Sequence, residues 1–448
     1  MLQIDFELSP NKLRPKLEQL FDLSAAKIRA TARAMAAAKP AVALHPGRHT
    51  TWYGDDTQRA RAMAIVTALL GSWGRKGGIF LPTAIKTGKF DMPPFPRPNR
   101  ERADGAGTRF PFASEEQGVT NGLVDATVTD KPYPIKAWIV YGQNVLQSIP
   151  QRPKTLKGIS KLDLMVVVDL LPMEQTFYAD LVLPEATYLE RYDMPQITES
   201  AKQPYIAIRQ PSVKPLYESK PGWWIAQQMA NRLGLEAYFP WKTPREHLET
   251  LIKPLDVNID TLLTRGAVTF PGRPYISERL PEDGPLFPTQ SGKIELYSPL
   301  LKQVGFDPLP RYEAVAEPPV GYFRLIYGRA PVHSFARSQN NAWLDALMDE
   351  NVAWINEDAA RDLRLADGQQ VVLENQDGAK CLPVRVSITK GIRRDCIYMV
   401  HGFGHKSPRL KLAYHRGASD TQLMTRVKVD PIMGGTGMRV NFVRVLTS

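Results

Sequence analysis

Ala137-Trp-Ile-Val-Tyr-Gly-Gln-Asn144 is an apolar run that breaks on a glycine and closes on an asparagine. A helix-sized spacer follows, then Leu164-Met-Val-Val-Val-Asp169, a second apolar run with an acid at its tip. Both runs read as buried strands. Strand, glycine turn, helix-sized spacer, strand and terminal Asp make half of a mononucleotide-binding fold. In such a unit Gly142 lets the backbone turn tightly and approach a phosphate, and Asn144 can bond to the nucleotide. Asp169 can accept from a ribose or from a guanine N–H edge. An ordinary βα turn with Asn as a cap has the same spacing. There is no G-x-G-x-x-G, so a plain nicotinamide or flavin site has no support.

Leu181-Val-Leu183 adds a third short strand, and Trp223–Leu233 is an amphipathic helix ended by Gly234. On the N-terminal side, Ser24 can cap a helix over 25–38 that Pro40 ends. Ala41–Leu44 reads as a short buried strand, and Asp55 or Asp56 caps a second helix whose apolar face carries Ala62, Ile65, Val66, Leu69 and Leu70. Residues 83–133 are rich in Pro and Gly and lack apolar periodicity, which predicts a long surface loop or insertion. Beyond about residue 313 strands shorten and turns multiply. Gln376-Asp-Gly378 sits between strands at 370–374 and 380–388, one helix starts at Asn356, and the whole predicts a small β-barrel or sandwich.

The chain has 448 residues, 43% hydrophobic and 23% charged, which suits two or three soluble globular domains. Its opening residues lack a signal peptide's basic and apolar regions, and no run is long and apolar enough to span a bilayer. A net charge of +11 favours polyanionic ligands. The basic residues are scattered rather than striped, so cofactor phosphates or an acidic partner fit better than nucleic acid. Cys381 and Cys396 are too few to hold an iron–sulfur cluster by four thiolates, and their apolar settings read as buried free thiols.

Three further stretches carry chemistry. Glu174–Asp180 and Leu183–Glu190 lie past a strand's C-terminal end, where open α/β sheets bind ligands, although Thr176 and Asp180 also read as caps. Five of the seven histidines fall at 45, 49, 333, 401 and 405, in Gly-rich loops. His401-Gly-Phe-Gly-His405 could hold a metal, but Gly-Phe-Gly denies it a rigid helical face. Hydrogen bonding to a flat heterocycle suits neutral His better. No G-x-S-x-G elbow supports a Ser-His-Asp triad. Arg329, Arg337, Ser338, Gln339, Asn340 and Asn341 crowd one loop, a set that suits a phosphate and a pterin edge as well as plain solvation.

In this order the segments resemble the catalytic large subunit of the molybdopterin oxidoreductase (dimethyl sulfoxide reductase) family, nearest the polysulfide/thiosulfate reductase branch. The likeness runs through HPGRHTTWYGDDTQ from His45, GSWGRKGG from Gly71, YGQN from Tyr141 and VVVDLLPMEQTFYADLVLPEATYLER from Val166. It continues through TQSGKIELYS from Thr289, GRAPVHSFARSQNN from Gly328, VAWIN from Val352, HGFGH from His401 and DPIMGGTG from Asp430.

The resemblance implies an α/β fold: partial Rossmann-like dinucleotide-binding domains followed by a C-terminal β-barrel-like domain of double-psi type. Residues 1–82 would end one molybdopterin-binding α/β domain, 83–312 would form a second with insertions, and 313–448 the barrel. It implies a molybdopterin guanine dinucleotide cofactor (Mo-bis-MGD). Gly142, Asn144, Asp169, Thr176 and Asp180 would hold one guanosine diphosphate arm. His45, Gly47, Arg48 and the 71–78 loop would approach a pterin. Arg329, His333, Ser334, Arg337, Ser338, Asn341 and His401 would contact pterins from the barrel.

The family's four-cysteine cluster segment and its protein ligand to molybdenum have no counterpart here. The expectation is therefore the C-terminal part of a larger subunit, inactive alone, with 4Fe-4S only in the missing N-terminal region. The resemblance further implies an Fe-S electron-transfer subunit, a membrane anchor subunit, and a sulfur or oxyanion substrate in anaerobic respiration. The intact family would be periplasmic, whereas the chain as written would be cytoplasmic. A non-catalytic cofactor-docking or partner-binding protein is the alternative.

Overall fold

The structure is a computed structural model and describes residues 23–45, 47, 51–82, 84–96, 99–114, 116–278 and 287–447. Two helices lead: α1, Ala25–Ala38, capped by Ser24, and α2, Asp56–Leu69. Only Ala25 of α1 and Thr67 of α2 are buried. Leu23, Ile28, Met35, Val66, Leu69 and Leu70 line an open apolar hollow of about 420 Å³ between them. The strand expected at Ala41–Leu44 does not form. The chain there turns back on α1 instead, with the Ala41 N–H donating to the Ala38 carbonyl.

The loop expected over 83–133 contains a helix, α3, Thr120–Thr129. It is short and polar in sequence, which hides its period. What holds it is packing: a Cβ at Gly122 would lie 2.0 Å from the Asp104 carbonyl oxygen, so the two segments meet backbone to backbone. Asp130, left-handed at φ 58°, ends it.

β1, Ala137–Tyr141, β2, Leu164–Asp169, and β3, Leu181–Pro184, form a parallel sheet in that order, with Ile139 opposite Val166 and Val167 opposite Val182. One face packs Trp138, Val140, Met165 and Val167 against Val124 of α3 and Ile159 of α4, Arg152–Ile159. The Trp138 indole donates to Thr127 Oγ1 at 3.2 Å. The other face packs Val166 and Val168 on Ile225 of α5, Gly222–Arg232, which runs into the left-handed Gly234. Cover on both faces explains why β2 is an unbroken apolar run. A small antiparallel sheet (Gln196–Ile197, Tyr205–Ala207, Ala267–Thr269) and α6, Pro244–Ile252, follow.

The C-terminal region is a closed barrel of six strands: β4 Phe323–Gly328, β5 Val352–Asn356, β6 Gln370–Asn375, β7 Val384–Thr389, β8 Cys396–Val400 and β9 Phe442–Leu446. The ring order is β7, β5, β8, β4, β9, β6, with the β5–β7 and β4–β8 pairs parallel. Alternate residues fill it: Leu325 and Tyr327, Ala353 and Ile355, Val371 and Leu373, Val384 and Val386, Ile397 and Met399. This is the period of two that a sheet closed on itself requires. Asn356 caps α7, Glu357–Asp362, as its sequence implies, and Gly378, at φ 80°, turns the β6–β7 hairpin. Cys381 and Cys396 are free and buried, and burial pushes both thiols up to about 11.

The C-terminal loop returns to the start of the chain. Asp430, 1% exposed, accepts from the N–H and hydroxyl of Thr57 on α2 at 2.9 and 2.8 Å, and from the N–H groups of Ile432 and Met433.

Candidate functional site

The parallel sheet ends against the barrel. At the tip of β1, Gly142 takes φ +61°, which favours glycine, while its N–H donates to the Val168 carbonyl. A Cβ there would meet nothing within 4 Å, so the turn faces open space. Asn144, 5% exposed, donates its amide to Glu174 Oε2 at 2.6 Å, and its carbonyl Oδ1 is buried with no partner among the described residues. Gln175 donates to the Gln143 carbonyl (3.0 Å) and to Asp169 Oδ2 (3.2 Å), and its Oε1 is likewise buried and unmatched among the described residues. Burial raises the Asp169 carboxyl above its usual range. The Glu185 carboxylate adds to this, while the Leu170 and Leu171 N–H groups and the Arg337 guanidinium of the barrel loop oppose it. The result is an acceptor-rich recess with unfilled valences.

Glu174 ties this recess to the barrel. Its Oε1 accepts from His405 Nδ1 at 2.9 Å and from the Lys406 N–H at 2.7 Å. Burial alone would raise this carboxyl. The His405, Asn144 and Lys406 donors outweigh it and hold the group far below the usual carboxylate range. Beside it Gln147 donates to the Gly404 carbonyl and accepts from Ser419 Oγ at 2.9 Å.

A second polar cluster stands at one end of the barrel. Tyr327, near the end of β4, stacks on Trp52 at 5.2 Å between ring centres, and its buried hydroxyl has no hydrogen-bond partner among the described residues. The Arg439 guanidinium lies 4.9 Å from the Trp52 ring. His401 Nδ1 contacts both Asp420 carboxylate oxygens at 3.0 and 2.9 Å. Burial opposes a charged imidazole here, but the Asp420 carboxylate prevails and raises its pKa. The HGFGH histidines thus turn to separate carboxylates, Asp420 and Glu174.

The loop 329–341 divides in two. His333 Nε2 contacts the Met348 carbonyl at 2.7 Å, so it carries the proton, and Nδ1 meets Ser338 Oγ at 3.1 Å. Ser338 Oγ also accepts from the Ser334 N–H. Asn341 Oδ1 caps a turn of helix at Ala342–Asp345. His333, Ser338 and Asn341, expected to touch a pterin, are therefore committed to the loop's own shape. Arg329 and Arg337 instead lie over Phe335 at 5.2 and 5.7 Å with exposed guanidiniums, and Arg337 donates to Ser334 Oγ.

Of the other expected residues, Thr176 donates its hydroxyl to the Met173 carbonyl, shaping the turn after β2. Asp180 is not brought to the recess: it accepts from the Met165 N–H, at the opposite end of β2 from Asp169. His45 is exposed and Gly47 sits in a turn at φ 53°, while Arg48 lies outside the described residues.

Residues 13–232 match the family model described as molybdopterin oxidoreductase, and residues 323–441 match the molydopterin dinucleotide binding domain. The chain belongs to the molybdopterin oxidoreductase family. Within this family it is similar to the thiosulfate reductase molybdopterin-containing subunit of Salmonella typhimurium, 29% identical over 453 residues. That match covers 92% of this chain and 58% of the relative, so the chain spans somewhat over half the relative's length. Acetylene hydratase of Syntrophotalea acetylenica is 33% identical over 194 residues, 42% of this chain and 25% of that protein. The solved acetylene hydratase of Pelobacter acetylenicus superposes with a TM-score of 0.79 at 22% identity, over 98% of this chain and 65% of that one, and so shares the fold.

The family's cofactor fits the residues present. The nucleotide end of a molybdopterin dinucleotide carries N–H and O–H donors, and the open carbonyls of Asn144 and Gln175 are the acceptors that match them. The open turn at Gly142 and the exposed guanidiniums of Arg329 and Arg337 suit phosphate. Tyr327 and Asp420 were not singled out from sequence, and Glu174, Gln175 and His405 were read only as members of the stretches 174–180 and 401–405. Tyr327 alone left a local mark, a phenol on the inward face of an apolar strand. The Glu174–His405 pair spans 231 residues and leaves none.

Proposed function

We propose that this chain holds one guanine dinucleotide arm of a bis-molybdopterin cofactor at the C-terminal edge of β1 and β2, within the catalytic unit of an oxidoreductase acting on a sulfur compound. The observation that carries the reading is the pair of buried, unmatched carbonyl oxygens at Asn144 and Gln175 beside Asp169. Guanine presents an N–H edge that such acceptors receive, and an acceptor left empty in a buried site costs about 1–3 kcal/mol. The thiosulfate reductase relative, similar over 92% of this chain, supports polysulfide, thiosulfate or tetrathionate as the substrate class.

When bound, the metal centre of such a cofactor supplies two-electron chemistry coupled to oxygen or sulfur transfer. The chain's own residues bind and orient. Gly142 leaves room for phosphate, Asn144 and Asp169 read the base and ribose, and Arg337 adds positive charge from the barrel side. His401, its charge favoured by Asp420, offers a held proton at the barrel end. In this reading electrons arrive through an Fe-S electron-transfer subunit and a membrane anchor subunit, on the periplasmic face.

The test is to express the chain in a host that makes the cofactor, purify it, and measure molybdenum and the nucleotide released by acid. Near-stoichiometric GMP, reduced in Asn144→Ala and Asp169→Ala variants, is expected. A different nucleotide, or none from a folded chain, overturns the reading.

A further inference from the structure

A second cavity, of about 200 Å³, shares no lining residue with the recess described above. Its walls include Tyr192, Met194, Trp223 of α5, Trp241, and His247 and Leu248 of α6. They are built rather than incidental. Trp241 packs on His247 at 4.4 Å between ring centres, and Phe90 and Phe239 back Trp241 at 5.2 and 5.3 Å. Leu248 is 2% exposed.

The polar content of the cavity selects among ligands. Asp193, the one acid in its wall, is already spent: its oxygens accept from Arg191 Nε at 2.7 Å and Arg209 Nη1 at 2.6 Å. Arg191 also pairs with Glu185, so two carboxylates face two guanidiniums and no net negative charge is left to attract a cation, which separates this box from an aromatic cage for quaternary ammonium. An anion would lose its hydration to walls that are almost wholly apolar. Burial also lowers the pKa of His247, which keeps the imidazole neutral. Beside the His247 imidazole and the Tyr192 hydroxyl, the wall holds the Trp223 indole, whose N–H is buried and has no acceptor among the described residues.

We propose that this cavity binds a neutral, flat ring carrying one hydrogen-bond acceptor, which the Trp223 indole N–H receives. A dry apolar cavity of about 150 Å³ accepts a benzene ring, so this one has space for a substituted ring or two fused rings. The inference is independent of the cofactor reading and uses none of its residues.

Quinoline and naphthalene test it, because they share shape and neutrality at neutral pH and differ by one ring nitrogen that accepts a hydrogen bond. Ligand-detected NMR and quenching of tryptophan fluorescence on the full chain give both affinities. Quinoline is expected to bind several-fold more tightly than naphthalene, the range of one neutral hydrogen bond. Trp223→Phe keeps the ring and is expected to remove that preference while naphthalene still binds. Met194→Trp, at an exposed wall position, is expected to block both without changing the melting temperature. Equal affinity of the two ligands for the unaltered chain, no binding of either, or a preference that survives in Trp223→Phe would each overturn the proposal.

Discussion

Asn144 shows how one side chain can be half spent and half available. Its amide nitrogen is fixed by Glu174, so only its carbonyl can face a ligand. Asn144→Ala is expected to weaken guanine nucleotide binding roughly tenfold, the worth of a hydrogen bond in a buried site; titration calorimetry with GDP reads this directly. His401 gives a second expectation at this scale. Its folded pKa is raised by Asp420, so the pair stabilises the chain fully below the ordinary histidine value and loses that contribution as pH rises through the folded value. His401→Gln should flatten the stability–pH curve in that window, followed by urea unfolding at several pH values. The places of Gly142, Asn144 and Asp169 at the ends of β1 and β2 were legible in the sequence, because strand ends have a local signature. It could not show that His333, Ser338 and Asn341 bond to their own loop. A polar residue satisfied by its neighbours and one awaiting a ligand are written with the same letters.

The link between sheet and barrel is a single element-scale device. Glu174, 3% exposed, takes donors from His405, Lys406 and Asn144 at once. Removing the carboxylate in Glu174→Ala strands a buried imidazole and is expected to cost about 3 kcal/mol. Because the folded pKa of Glu174 is depressed, this contribution is present above the ordinary glutamate value and declines as pH falls below it. Unfolding at mildly acid pH should be less pH-dependent in Glu174→Gln than in the unaltered chain. Within the barrel, Leu373 is fully buried, and Leu373→Ala is expected to cost about 2–5 kcal/mol by chemical denaturation. The barrel and the parallel strands were legible because strict alternation and unbroken apolar runs each belong to one environment. α3 was not, since Gly122 and the neighbouring Thr and Asn gain their place from a contact with Asp104 that no local pattern announces.

Across the whole molecule, α1 and α2 present an apolar face to solvent, with Leu69 71% and Leu23 43% exposed. Faces of this kind mark interaction surfaces. Leu69→Glu combined with Leu23→Glu is expected to reduce self-association and binding of a hydrophobic dye, with the melting temperature nearly unchanged because neither side chain is buried. Light scattering and dye fluorescence check this; a large drop in melting temperature would show the face to be core.

The clasp between Thr57 and Asp430 joins residues 373 positions apart. At about 5–20 residues added per second, a ribosome needs roughly 20–75 s to make the second half of that clasp after the first. The turn that carries Trp52 to Tyr327 is thus fastened only after the 373 positions from Thr57 to Asp430 have been made. Where Asp430 falls in the chain therefore sets how long Trp52 and α2 wait for the loop that holds them.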